Sequence, residues 1–341
     1  MNKFETIFLH IGLHKTGSTT IQHTLHNYRE ELAASHALFY PAFARNHSVP
    51  LVAMYHDQPH TYRMNILSGI DTAEAAEEFA ATRRAAFETE MQQSQSRQML
   101  LSGEDVSDLS VAGLERLHEW LMQWTDDLRI VAMVRNPIKW AVSAAQSNIR
   151  GGKTYAQANK RLTLLRLGDR LQKFLDTFGR DQMTVFSLEE AAQHPAGLTA
   201  CMLEKLGLPA AEFPNESKFN QNPGMSLEAA QLISALNRRR PLIIDGKLNP
   251  RRFDGDVLPI IRGIKGQPFR LESDTMVRIR ESALADKQWL EQNFGMELAL
   301  DLNDGSAATT TDTLTFSMES VENLALKLHE LNQIQQLEKK R

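Results

Sequence analysis

The sequence predicts an α/β protein with a central, mostly parallel sheet flanked by helices and a helical extension at its C-terminus. Three observations predict it. Short apolar, β-rich runs alternate with stretches of helical periodicity. The strongest run, 128–134 (LRIVAMV), is continuously apolar from Ile130 onward, as expected of a strand buried on both faces. Turns marked by glycine or proline follow two of the strand ends directly, and in open parallel sheets ligands bind at the carboxyl ends of strands.

The elements follow in order. Residues 6–11 (TIFLHI) read as a buried strand ending at Gly12, and Ile21, Leu25, Tyr28 and Leu32 fall at helical spacing over 18–32. Residues 33–70 carry His36, His47, His56 and His60 among three prolines and read as an insertion or lid over a site. A helix over 72–95, a strand over 97–102 and a helix over 109–124 come next. After the strand at 128–134, Pro137 opens a helix where its missing N–H costs nothing, and Gly151 and Gly152 close it. A strand is predicted over 183–187, a helix over 188–206 and a further helix over 273–294. Residues 1–300 are read as one domain. Residues 301–341 are read as a polar linker and a helix whose Val321, Leu324, Leu328, Leu331, Ile334 and Leu337 share one face without a strict heptad, packing on the domain or on a second copy.

Composition narrows the function classes. The 341 residues carry a formal charge of -4, which gives no global basic field for nucleic acid or anionic lipid, so any anion site must be local. Cys201 is the single cysteine, which excludes an internal disulfide and a thiolate metal cage and suits a reducing, cytoplasmic location. No stretch approaches the roughly 18 apolar residues of a membrane span.

The first chemical motif is Gly12-Leu13-His14-Lys15-Thr16-Gly17-Ser18-Thr19-Thr20, between a strand and a helix. Loop N–H groups and a helix N-terminus there make a cradle for an anion, to which Lys15 adds a point charge and Ser18, Thr19 and Thr20 add hydroxyls. The nucleotide triphosphatase P-loop requires lysine after its second glycine, whereas here the lysine precedes it. This Lys-Thr-Gly-Ser-Thr-Thr stretch resembles the 5'-phosphosulfate loop of sulfotransferases that use 3'-phosphoadenosine-5'-phosphosulfate (PAPS). The second motif, Arg135-Asn136-Pro137 with Ser143 on the following helix, resembles the 3'-phosphate motif of the same family. An arginine fork leaving a strand end suits a phosphate. The two motifs stand in the family's order, with weaker likeness at Asn222-Pro223-Gly224-Met225-Ser226 and near Trp289 to Gly295.

The resemblance implies a P-loop-like sulfotransferase fold, closer to the carbohydrate and bacterial branch, with PAPS as co-substrate, its desulfated form PAP as product and no metal requirement. It places Lys15 on the bridging oxygen, His14, Thr16, Gly17, Ser18, Thr19 and Thr20 around the 5'-phosphosulfate, and Arg135 and Ser143 at the 3'-phosphate. It implies a small-molecule or glycan acceptor bearing a hydroxyl or amine, and no nucleic acid partner. Where related enzymes carry a histidine base after a middle strand, this chain has Gly103-Glu104-Asp105. Glu104 therefore reads either as a carboxylate base or as a helix N-terminal carboxylate, with His14 and His56 as further candidate bases. His56 and His60 at i, i+4 would share a helix face as in a zinc site, but no third ligand accompanies them at a recognisable spacing. Arg238-Arg239-Arg240 reads as a solvated face or, with Arg251-Arg252, as a grip on an anion. Two other readings remain open, a P-loop kinase or phosphotransferase using magnesium-ATP and a non-catalytic nucleotide-binding scaffold.

Overall fold

The computed structural model describes residues 4–160, 164–209, 211–219, 224–253, 255–298, 300, 307–308 and 324. Most of the expected linker and C-terminal helix, together with Asn222 and Pro223, lies outside the described residues. Two compact units share the chain.

The first unit comprises residues 1–136, 165–221 and 283–299. It contains a five-stranded sheet of β1 (Thr6–His10), β2 (Leu38–Phe39), β3 (Gln98–Ser102), β4 (Leu128–Val134) and β5 (Met183–Ser187). Every pairing is parallel and the strand order is β2-β3-β1-β4-β5. Alternate side chains of a strand point to opposite faces, and here both sets are buried. Phe8, Leu100, Val131, Met133 and Phe186 join one cluster with Ile21 and Leu25 of helix Ser18–Asn27 and with Cys201, Met202 and Leu203 of helix Leu198–Lys205. Ile7, Leu9, Met99, Leu101, Ile130 and Ala132 are as deeply buried. Two-sided burial is why these strands read as unbroken apolar runs. Because the chain runs outward from β1 toward β2 and later crosses to β4, the order reverses at β1, the place where such sheets open a crevice.

Strands β1, β3, β4 and β5 fall where the sequence puts them, within two residues. The helix predicted over 18–32 is two helices, Ser18–Asn27 and Arg29–His36. The one predicted over 188–206 is likewise two, Leu188–Ala191 and Leu198–Lys205, separated by a turn through His194-Pro195 and by Gly197 at φ +93°. Proline disfavours the helical conformation in the residue before it, so the apolar periodicity continues across a break in the backbone.

Residues 33–70 differ most from expectation. They are built into the first unit and do not form an added lid. Leu38–Phe39 is the edge strand of the sheet, paired with β3, and Tyr40, His47, Leu51, Val52 and Tyr55 are buried. An aromatic cluster ties the segment down. Phe43 meets Phe87 edge-on at 4.4 Å, Phe87 meets Trp120 at 5.6 Å, and Tyr40 lies 4.6 Å from His47. Burial pushes the His47 imidazole down to about 4, so it packs as a neutral ring. His56 caps the end of helix Ser48–Tyr55 and His60 lies in the separate turn Pro59–Thr61, so no helix presents them side by side.

The second unit comprises residues 137–164, 222–282 and 300–341. Its described part holds helices Pro137–Arg150, Tyr155–Lys160, Leu227–Arg239 and Leu258–Gly263, an antiparallel ribbon of Ile243–Ile244 with Lys247–Leu248, and the first half of helix Ser273–Phe294. Ser226 caps helix Leu227–Arg239 by accepting a hydrogen bond from the Ala229 N–H at 3.1 Å. No described helix in either unit is long and apolar enough to cross a membrane.

Candidate functional site

Three loops meet at the carboxyl ends of the three central strands. The first follows β1. Its base continues the ladder to β4, since the Ile11 N–H donates to Val131, the Leu13 N–H donates to Met133 and the Met133 N–H donates to Gly12. Gly12 has φ +88°, and a Cβ there would come within 2.8 Å of Glu104 Cβ, so glycine is required both by conformation and by the approach of the β3 loop. Lys15 and Gly17 also have positive φ, at 63° and 90°. Gly17 is the N-cap of helix Ser18–Asn27, with no side chain occupying the cap. Left-handed residues at a helix start are the backbone pattern from which anion nests are built.

The hydroxyls of the loop divide. Thr16 is fully buried and donates to the Leu13 carbonyl at 2.5 Å, and Ser18 points to the same carbonyl at 3.4 Å. Each hydroxyl has one hydrogen, so Thr16 spends its own on closing the turn. Thr19 is half-buried, and Thr20 is buried in the first turn of the helix.

The second loop follows β4. Arg135 Nη1 donates to the Lys15 carbonyl at 3.1 Å, which brings the guanidinium of one motif onto the backbone of the other. Arg135 Nε is buried and has no hydrogen-bond partner among the described residues. Burial works against the Arg135 charge and the nearby Glu189 carboxylate partly restores it. Glu189 also accepts from the Asn136 N–H at 3.1 Å, fixing the turn that leads into Pro137. Ser143 lies in the second unit, half-buried on helix Pro137–Arg150.

The third loop follows β3. Glu104 opens a short 3-10 turn, Glu104–Asp108, and the next helix begins only at Val111, capped by the Ser110 hydroxyl, which accepts from the Gly113 N–H at 3.0 Å. The helix-cap role is therefore taken by Ser110 and not by Glu104. The Glu104 carboxylate is instead cradled by side chains from elsewhere in the first unit. Oε2 accepts from Gln22 Nε2 at 2.7 Å and from Ser48 Oγ at 3.3 Å, while among the described residues Oε1 meets only Asn46 Nδ2, at a long 3.4 Å. Ser48 Oγ in turn accepts from the Asp105 N–H at 3.2 Å, and the Ser48 N–H donates to Asn46 Oδ1 at 2.7 Å. One oxygen is held firmly and the other keeps accepting capacity. His10, beneath this loop, is fully buried with Nδ1 2.8 Å from Ser102 Oγ, and burial pushes it down to about 4.

His14 stands between the loops. Its Nε2 lies 3.2 Å from Asp105 and 3.1 Å from Asp108. Burial opposes its charged form, but the hydrogen bond to Asp108 and the negative charges of Asp105, Asp108 and Glu104 outweigh that and raise its pKa. His14, Asp105 and Asp108 form a group that could hold a cation. Both carboxylates are already engaged, Asp108 with Arg170 at 2.7 Å and Asp105 with the Tyr62 hydroxyl in a short hydrogen bond. A charged His14 is thus compensated within the protein and cannot accept a proton at Nε2.

Of the residues singled out in the sequence, the first unit brings together His14, Lys15, Thr16, Gly17, Ser18, Thr19, Thr20, Glu104 and Arg135. Sequence reasoning missed Gln22, Asn46 and Ser48 around Glu104, and Asp105, Asp108, Tyr62 and Arg170 around His14. Gln22 alone left a trace, as a polar residue between Ile21 and Leu25 that proves to be only 2% exposed.

No protein-family model matches the chain, and no curated protein does. Among solved structures it is similar to a sulfotransferase from Alicyclobacillus acidocaldarius, with a TM-score of 0.46 and 15% identity over 85% of this chain and 96% of that one. It is also similar to the sulfotransferase domain from the curacin biosynthetic pathway, with a TM-score of 0.40 and 14% identity over 82% of this chain and 98% of that one.

Proposed function

We propose that the protein is a sulfotransferase that moves a sulfuryl group from PAPS to a hydroxyl or amine of a small-molecule or glycan acceptor. The observation that carries this reading is the contact of Arg135 with the backbone of Lys15, which sets the two anion-binding motifs side by side at the reversal point of the sheet. A donor with phosphate at one end and phosphosulfate at the other asks for two such groups on one surface.

In this scheme the acceptor oxygen or nitrogen attacks sulfur in line, the bond from sulfur to the 5'-phosphate oxygen breaks, and PAP leaves. Negative charge grows on the departing oxygen, by analogy with phosphoryl transfer. Lys15 neutralises it, and the N–H groups of the loop hold the non-bridging oxygens without having to reorganise. Glu104 takes the acceptor proton on Oε1, the less engaged of its oxygens. His14, whose charged form is favoured and compensated by Asp105 and Asp108, serves as a hydrogen-bond donor in place of a base.

Calorimetric titration with PAP, ATP and magnesium-ATP tests the reading. Micromolar PAP binding without added metal is expected. Tighter binding of magnesium-ATP would instead support a phosphotransferase using the His14, Asp105 and Asp108 cluster as its cation site. PAP binding combined with unchanged acceptor sulfation in both Lys15→Ala and Glu104→Gln would refute the assigned roles. A scaffold without turnover would bind PAP and sulfate nothing across a panel of glycans, lipids and phenols.

A further inference from the structure

The net charge of -4 conceals a segregation. Residues 137–164 and 222–282 of the second unit hold sixteen Lys and Arg against seven Asp and Glu, whereas the first unit holds eighteen against twenty-eight. The excess peaks between positions 238 and 251. Arg238, Arg239, Arg240, Lys247 and Arg251 are all exposed there, with Asp245 as the exposed acid among the described residues of that stretch.

This surface is built. The ribbon pairs Ile243 with Leu248 and Ile244 with Lys247, and the Asn249 N–H closes it on the Leu242 carbonyl at 2.9 Å. Beneath it Arg252 is buried. Its guanidinium donates to the Arg240 carbonyl at 2.6 Å and to Asn237 Oδ1 at 3.2 Å, and is clamped by Asp256, at 3.0 Å through Nη2. Asn237 then donates to the carbonyls of Ile149 and Lys153 at 2.8 and 2.9 Å. A buried ion pair with every partner hydrogen-bonded fixes the turn that displays Arg251 beside the end of the Arg238 to Arg240 run. Arg252 is therefore a strut and not an anion grip.

The same surface exposes large apolar side chains. Phe253 is 66% exposed, the highest value among large hydrophobic residues of the described chain, and Ile244 at the ribbon tip is 46% exposed. Single exposed apolar residues are ordinary, but an exposed aromatic and an exposed β-branched residue on the same short stretch as five exposed cations are not a random scatter. A soluble polyanion would need the cations and gain little from Ile244. A lipid surface uses both, since cations meet anionic headgroups while apolar tips enter the acyl boundary.

We infer that the 238–253 surface of the second unit docks the protein on an anionic lipid bilayer. The inference does not depend on the sulfotransferase reading. Each cation near such a bilayer contributes roughly fivefold in affinity, with strong dependence on salt.

The test is sedimentation of the full chain with vesicles. Mixed phosphatidylcholine and phosphatidylserine vesicles should bind it at low salt, and pure phosphatidylcholine vesicles should not. Arg239→Glu with Arg240→Glu should weaken binding by about 25-fold or more. Ile244→Ser with Phe253→Ser should weaken it several-fold while leaving the salt dependence unchanged. These positions are exposed, and circular dichroism of each variant confirms folding. Absence of vesicle binding by the unaltered chain at low salt overturns the inference without further comparison. Unchanged binding after loss of Ile244 and Phe253, or heparin or single-stranded DNA competing the protein off vesicles through tighter binding, would reassign the surface to a soluble polyanion. Loss of PAP binding in the double glutamate variant would assign the arginines to the nucleotide.

Discussion

The loops after β1 and β3 hold groups of comparable importance by opposite means. The β1 loop is shaped by its own backbone. Gly12, Lys15 and Gly17 take left-handed conformations, Thr16 closes the turn on Leu13, and the Lys15 carbonyl receives the Arg135 guanidinium. Glu104 in the β3 loop owes its orientation to Gln22, Asn46 and Ser48, which lie 82, 58 and 56 positions away in the chain. A self-contained turn survives as a motif that can be read along the chain, whereas a side-chain cradle assembled from distant segments leaves no local pattern.

If that contrast is correct, the two loops should fail differently. The largest effect is expected from Glu104→Gln, which keeps the shape and the Gln22 contact but removes the proton acceptor. Turnover should fall about 10²- to 10⁴-fold with PAP affinity retained, as measured by steady-state kinetics beside calorimetry. An equal loss of PAP affinity would mean that the β3 loop holds the donor.

Lys15→Ala should lower turnover about 10²- to 10³-fold and weaken PAP as well, because the ammonium acts on ground state and transition state alike. Gly12→Ala probes the place where the two loops touch. The added methyl meets Glu104 Cβ at 2.8 Å and the backbone at φ +88° resists any L side chain, so the unfolding free energy should drop by about 2–4 kcal/mol, read by denaturant titration. A milder change tests the cradle. Gln22→Ala should reduce turnover about tenfold through a misoriented Glu104, with little change in the KM for PAPS, and Gln22→Glu should not rescue it, because two carboxylates would then face each other.

The smallest expected effect is one of pH. The folded pKa of His14 is raised above its unfolded value by Asp108 and Asp105, so its charged form stabilises the fold fully below about pH 6.5. That contribution is lost as pH rises through the higher folded value. The unfolding midpoint should therefore decline as pH rises above about 6.5, and His14→Asn should flatten the decline. A decline that persists in the variant would point to another group.

What was legible in the sequence follows the same division. The four principal strands were readable because two-sided burial leaves runs such as Leu128–Val134 almost wholly apolar. The loops after β1 and β4 were readable because glycine, proline and charge sit next to strand ends. Residues 33–70 show no readable pattern in the sequence because Leu38–Phe39 is too short to show a period. His47 is a buried, neutral ring held among Tyr40, Phe43 and Phe87. The charge segregation between the units was invisible to the sum over the whole chain. It emerges only when residues 137–164 are grouped with 222–282, a grouping set by folding and not by order along the chain.

The ladder that runs past the end of β1 has a consequence for timing. With the amides of Ile11, Leu13 and Met133 held in hydrogen bonds between adjacent strands, the root of the β1 loop is fixed by the sheet itself. Deuterium should enter these three amides only as slowly as it enters the sheet itself. If a ligand binds as proposed, its entry and exit would then be accommodated by the outer part of the β1 loop, while the root of that loop stays still.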